Sequence, residues 1–343
     1  MSLIDVLDLP QLYTRPSAEA LLNTLALLRS APPSWDRDNI DGGGEQTRAQ
    51  VSPEGVTRYL TSIVSSSLKW IEDEEAKEEI WNQASSRLSE RSGRSAMGAM
   101  SRKFRIPSSS GSFELSIHEP ALTGDDLGLK TWAASYLLAK RLHTLNLIPA
   151  NTNEKPQVLE LGSGTGLVGL AMAALGADVL LTDLPSICSN LAHNAQVNSE
   201  IVNRNGGSTR TAILDWTDPT SCKLCSDAAV EDEALASKFP LILAADSLYS
   251  PQHPQMLVDT IDVWLSADIN AKVIVEFPYR DAYLPEVQDF RQRMSGIGLQ
   301  IIEEGEEKGY DDWGESGANI DQDESALVTC WWSCWGRQMS HTS

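Results

Sequence analysis

Residues 158–169 read "VLELGSGTGLVG", an apolar, strand-like run that opens directly into glycines. Counted from Gly164, G-T-G-L-V-G fits the dinucleotide fingerprint G-x-G-x-x-G. With Glu160 at the strand end and glycines at 162, 164 and 166, the same letters fit the E-x-G-x-G-x-G loop that holds S-adenosylmethionine. Position relative to the strand separates the two. The nicotinamide fingerprint places its first glycine directly off the strand. Here the strand ends at Leu161 and Gly162 is already in the turn, so the third fingerprint glycine would fall on Leu167 and fails. The second register survives, with Ser163 inside a loop whose backbone can approach a ligand closely. It favours S-adenosylmethionine.

The ends of the following strands add to this. "DVLLTD" closes on Asp183, about 20 residues beyond the glycines, where a carboxylate accepts from ribose hydroxyls. "LDWTD" closes the next strand: Leu214 and Trp216 can sandwich an adenine while Asp215 accepts from its exocyclic amine. Ordinary core packing of Trp216 is an equal alternative. "LAADSLY" follows, where small Ala244 and Ala245 leave room for a ligand and Asp246 and Tyr249 face the crevice. This D-x-x-Y stands where amino-methylating enzymes of nucleic acids carry D-P-P-Y, without the prolines. It suggests methylation of an amine.

Composition narrows the classes. The formal net charge of −21 argues against a nucleic-acid partner, which draws on clustered Lys and Arg. Many of the acids lie in "EEGEEKGYDDWGESGANIDQDE", residues 303–324, read as a solvated loop, with steering of a lysine-rich substrate as the alternative. Five unevenly spread cysteines and an N-terminus without a basic and apolar leader imply a reducing, cytoplasmic setting, with the nucleus as an alternative. The longest weakly polar run, residues 167–177, is too short for a membrane span. Cys222 and Cys225 have zinc spacing but no second pair, so no metal site is expected. The motifs of zinc proteases, serine hydrolases and P-loop enzymes are missing.

Two regions are expected. Residues 1–110 are helical, with amphipathic patterns in "AEALLNTLALLRS", "VTRYLTSIVSSSLKWI" and "DEEAKEEIWNQASSRLSER", then a connector to the strand-like "KFRI" and "SFELSIHEP". Residues 111–343 alternate apolar strands with amphipathic helices, which predicts an α/β fold: a mostly parallel Rossmann-like sheet covered on both faces, with one antiparallel strand at the edge. The tryptophans of "CWWSCW" read as sheet packing.

"EPALTGDDLGLKTWAAS", "VLELGSGTGLVGLAMAALGADVLLTDLP", "LDWTD" and "LILAADSLY", in this order over about residues 112–336, resemble the family-16 seven-strand methyltransferases. These mostly methylate protein lysines, and the fungal elongation-factor subgroup is the most similar. The resemblance implies that Glu160, Gly162, Ser163, Gly164 and Gly166 cradle the methionine moiety. It also implies that Asp183 takes the ribose and that Leu214, Asp215 and Trp216 surround the adenine. Trp132 would close the cofactor pocket from its N-terminal side, and Asp246 and Tyr249 would shape the acceptor-lysine entrance. Ala244 and Ala245 join the cofactor side. The helical N-terminal region lies outside the common core, and the insertion between Asp218 and Phe239 departs from the short loop of many relatives. The resemblance implies a monomer acting on a protein substrate, with a translation elongation factor as the expected one. A small-molecule N-methyltransferase with a nicotinamide-like acceptor is the alternative, and a non-catalytic module a third reading.

Methyl transfer needs a neutral amine, and only roughly one lysine in 2,000 to 3,000 is neutral at pH 7. The reading assigns ammonium guidance to Asp246 and packing of the aliphatic channel to Tyr249, with desolvation and the sulfonium charge lowering the lysine pKa.

Overall fold

The computed structural model describes residues 4–29, 51–52, 54–91, 98–121, 127–148, 155–225, 238–310 and 327–337. The run that opens into glycines is a strand, β3 (Gln157–Leu161), preceded in the chain by a hairpin of β1 (Met100–Ser108) and β2 (Gly111–Glu119). After it come β4 (Asp178–Asp183), β5 (Ser208–Leu214), β6 (Cys222–Leu224), β7 (Leu241–Ala245), β8 (Lys272–Pro278), β9 (Leu299–Tyr310) and β10 (Leu327–Arg337). The last eight form one sheet in the order β6-β5-β4-β3-β7-β8-β10-β9.

Pairings β5-β4, β4-β3, β3-β7 and β7-β8 are parallel. Near one end β10 runs antiparallel between β8 and β9, and the short β6 is antiparallel at the other. This is the α/β, mostly parallel sheet expected. The strand order reverses between β3 and β7, and in such folds the crevice beyond the carboxyl ends at the reversal takes the ligand. Gly162, Asp183, Asp215 and Asp246 each stand one step from, or at, such a strand end.

Helices cover the sheet because its strands are apolar on both faces. Helices α8 (His253–Trp264) and α9 (Leu284–Gly296) bury Leu257, Ile261, Phe290 and Met294 against Leu159, Ile242, Val273 and Val275. Helices α4 (Ala133–Arg141) and α5 (Leu167–Ala174) pack on each other and on β8 and β4. The asparagines of α6 (Pro185–Val197) and its neighbour α7 (Ser199–Arg204) bind the hairpin. Asn194 accepts from the His118 amide at 2.8 Å and donates to its carbonyl at 3.1 Å. Asn198, between the helices, repeats the exchange with Ser116 at 2.9 and 2.8 Å. Both side chains are buried, so their polar groups are satisfied by strand backbone rather than water.

The chain divides into two compact units, one mainly Met1–Ala99 and the other mainly Met100–Pro120, Gly124–Asp311 and Leu327–Ser343. The first is helical: α1 (Ala18–Leu27), capped by Ser17, α2 (Val56–Ser65) and α3 (Glu74–Ser89), capped by Asp73. Leu21, Leu25, Leu60, Ile63 and Ile80 form its core. The second helix stops earlier than its pattern suggests. Ser66 turns extended, its hydroxyl accepts from the Leu68 amide, and Leu68 takes a left-handed φ of 44°.

The acidic run also departs from expectation, because it is not all loop. Strand β9 extends through it to Tyr310, and within β9 Glu304 accepts from the Trp331 indole at 2.8 Å and pairs with Arg291 at 3.0 Å. Residues 311–326, which take in the rest of that run, and 226–237 of the insertion lie outside the described residues. The three tryptophans 331, 332 and 335 are buried, as expected of sheet packing. Among the described residues no helix is long and apolar enough to cross a membrane.

Candidate active site

The glycine loop is built by backbone that only glycine adopts freely. Gly162, Gly164 and Gly166 have φ of 64°, 55° and 87°, a region where side chains are strained. Space excludes side chains too. A Cβ on Gly164 would stand 3.0 Å from the Gly128 carbonyl oxygen, and one on Gly162 would stand 3.1 Å from the Trp216 ring. Ser163 locks the loop to β4: its amide donates to the Thr182 carbonyl at 2.9 Å and its hydroxyl accepts from the Thr182 amide at 3.0 Å.

Asp183 is tied to the same loop. Its Oδ2 accepts from the Gly164 amide and its Oδ1 from the Leu184 amide, both at 2.7 Å. Burial raises its pKa, and these two amides oppose the rise. Each carboxylate oxygen has a second lone pair, so two acceptor positions are left for a diol.

Glu160 lies elsewhere. Its carboxyl is buried under α5, and a Cβ on Gly169 would come within 2.5 Å of its Oε2. Burial pushes its pKa up to about 8, against the lowering influence of the Ser163 hydroxyl and the Gly169 amide. Its backbone carbonyl accepts from the Thr182 hydroxyl at 2.6 Å. Glu160 supports the loop from beneath.

At the end of β5, Leu214 belongs to the core, as does Ala244 on β7. Asp215 folds into a turn, Oδ1 accepting from the Thr217 amide at 2.9 Å and hydroxyl at 2.8 Å. Trp216 is half-buried, its ring laid against Gly162. The ring touches the glycine loop and also packs against the core cluster, so both readings the sequence left open are met.

Ala245 is buried at the end of β7, and Asp246 follows with φ 52°, a strained angle for any side chain. The Asp246 amide donates to the Glu276 carbonyl at 2.9 Å, pinning the turn to β8. Tyr249 is 47% exposed, with the His253 ring packed against it at 4.3 Å between centroids. Burial raises its pKa first, and the charges of Asp183 and Asp246 raise it further. One tyrosine thus senses both the β4 acid and the β7 acid. Trp132 precedes α4, its indole donating to the Leu127 carbonyl at 3.2 Å while the Arg280 guanidinium lies 5.6 Å from its ring. The neighbouring Gly128 is the residue whose carbonyl confronts Gly164.

Sequence reasoning missed Glu276, fully buried on β8 with its carboxylate 3.9 Å from the Arg141 guanidinium. Burial holds its pKa well above the usual range. A lone acid inside the apolar "KVIVEF" was the available signal. His253, between Tyr249 and Trp216, was also missed.

The sequence profile of the lysine methyltransferases matches residues 110–289, slightly more than half of the chain. The chain belongs to the lysine methyltransferase family. It is 30% identical to the protein-lysine N-methyltransferase rrg1 of Schizosaccharomyces pombe, over 96% of this chain and 97% of that one. It is 35% identical to the protein-lysine N-methyltransferase EFM2 of Saccharomyces cerevisiae, over 78% of this chain but 64% of the relative. The chain therefore spans slightly less than two thirds of EFM2. The mouse EEF1A lysine methyltransferase 3 is 29% identical over 41% of this chain and 54% of its own. Magnesium protoporphyrin IX methyltransferase from Synechocystis, solved with bound SAM, overlays at a TM-score of 0.38 with 16% identity, over 60% of this chain and 78% of that one.

This family member is an N-methyltransferase that uses S-adenosylmethionine. The site fits that cofactor: a loop that side chains would fill, a carboxylate with two acceptor positions beside it, and an aromatic ring against the loop.

Proposed function

We propose that this chain transfers a methyl group from S-adenosylmethionine to a lysine side chain of a translation elongation factor. The observation that supports this best is the meeting of Asp246 and Tyr249 with the glycine loop and Asp183 at one strand reversal. The relatives rrg1 and EFM2 carry protein-lysine N-methyltransferase in their names, and a third carries EEF1A. A half-exposed Tyr249 suits an acceptor that arrives on a protein surface.

The cofactor supplies an electrophilic methyl group. Gly162, Ser163, Gly164 and Gly166 hold its methionine part, Asp183 its ribose and Leu214, Asp215 and Trp216 its adenine, with Ala244 and Ala245 leaving space and Trp132 closing the N-terminal side. Glu160 keeps the loop in place. Asp246 draws the acceptor ammonium in, and Tyr249 lines its aliphatic stem. Positioning of the amine supplies much of the acceleration. The enzyme acts as a monomer in the cytoplasm and needs no nucleic acid, and its charge of −21 suits a basic protein surface. All of these site residues belong to the second of the two units.

The test is incubation with radiolabelled S-adenosylmethionine, purified elongation factors and a lysate lacking the endogenous enzyme. Label in one or two protein bands, lost with Asp246→Ala, supports the proposal. Label confined to small molecules overturns it.

A further inference from the structure

We infer that His253 is the base that removes the proton from the acceptor lysine. This role rests on lysine being the acceptor. A carboxylate next to an ammonium favours the charged form, so Asp246 alone attracts lysine while opposing the proton loss that the reaction requires. A second group must take the proton.

His253 has the geometry for it. Its Nδ1 is 2.9 Å from the Ser247 carbonyl oxygen, an atom that only accepts, so Nδ1 carries the ring proton. In the neutral ring the lone pair is then on Nε2. No hydrogen bond engages Nε2 among the described residues. The ring meets Tyr249 edge-on with centroids 4.3 Å apart and Trp216 edge-on at 6.1 Å. It therefore stands between the side chain read as lining the acceptor stem and the one read as covering the cofactor.

The surroundings keep the ring neutral near pH 7. Burial lowers the His253 pKa, and the Ser247 carbonyl offsets this in part. His253 is also the first residue of the 12-residue α8, whose amino end disfavours a cation. The ionisable neighbours are Asp246 and Tyr249 on its own loop, Asp183 across the crevice beside Tyr249, and Asp215 on the Trp216 turn.

The step balances. The lysine N–H bond breaks and its proton goes to Nε2. The freed lone pair forms the N–C bond as the C–S bond breaks with its electrons passing to sulfur. The product leaves as a methylated ammonium, and the imidazolium returns its proton to water.

Two measurements test this. Asparagine can keep the bond to Ser247 but has no second nitrogen, so His253→Asn should lower kcat on purified elongation factor about 100-fold at pH 7. The loss should shrink to a few fold by pH 10, where the lysine deprotonates unaided, with the KM for protein unchanged. In cofactor-free wild-type protein, nitrogen NMR should find the Nδ1–H tautomer of His253, with its pKa below the usual 6.5. A His253→Asn enzyme equal to wild type at pH 7, or an Nε2–H tautomer, overturns the assignment. Absence of protein label with the wild type overturns the lysine reading itself, and the base with it.

Discussion

The Gly164 amide donates to the Asp183 carboxylate at 2.7 Å, joining the glycine loop after β3 to the end of β4. The two halves of the candidate site are thus a single hydrogen-bonded unit. Hydrogen bonds to a charged group contribute about 1.5–3 kcal/mol. Asp183→Ala should weaken S-adenosylmethionine binding about 10- to 100-fold by calorimetry, and an unchanged Kd would remove Asp183 from the site.

Trp216 and Gly162 are a second coupled pair. Gly162→Ala meets both a φ of 64° and the Trp216 ring at 3.1 Å. We expect a loss of stability of about 1–3 kcal/mol in denaturant unfolding, from the strained angle. Combining it with Trp216→Ala should recover part of that loss, because the ring no longer opposes the methyl. Equal losses in the single and double variants would show that the angle alone matters.

Glu160 gives the fold a pH signature. Its folded-state pKa of about 8 exceeds its ordinary 4.5, so the folded protein keeps a proton that the unfolded chain releases. Stability from this group is full below pH 4.5, falls between 4.5 and 8 by about 1.4 kcal/mol per unit, and levels above. Glu160→Gln should flatten that slope in urea titrations. If the variant and the wild type run parallel from pH 5 to 8, Glu160 is ionised in the fold.

Asp246 separates backbone from side chain. Its φ of 52° costs a non-glycine residue of order 1–3 kcal/mol, and glycine accepts it freely. Asp246→Gly should therefore hold or raise the melting temperature and keep cofactor affinity, while methylation falls at least 10-fold. Retained methylation would refute ammonium guidance by this carboxylate.

Much of this was legible because it is local. The strands β3, β4, β5 and β7 are short apolar runs that end at, or one residue before, a glycine or an acid, so they announced the fold and the strand ends that carry the candidate residues. The short β6 was hidden because three residues carry no period, and its pairing with β5 decides it. The break after Ser65 was hidden because the apolar pattern continues through Leu68 and Ile71 while the backbone does not. The glycine motif points Glu160 toward the ligand, yet alternation along β3 and the bare Gly169 turn its carboxyl under α5. The base assignment of His253 depends on Ser247 and Trp216, which no local pattern brings together.

The paired exchange of Asn194 and Asn198 with His118 and Ser116 also bears on where the polypeptide can be cut. A fragment beginning just before β3 would strip two buried amides of their strand and leave them without replacement. A fragment meant to keep that brace has to start near Met100, where the second compact unit begins, so that the hairpin travels with the sheet.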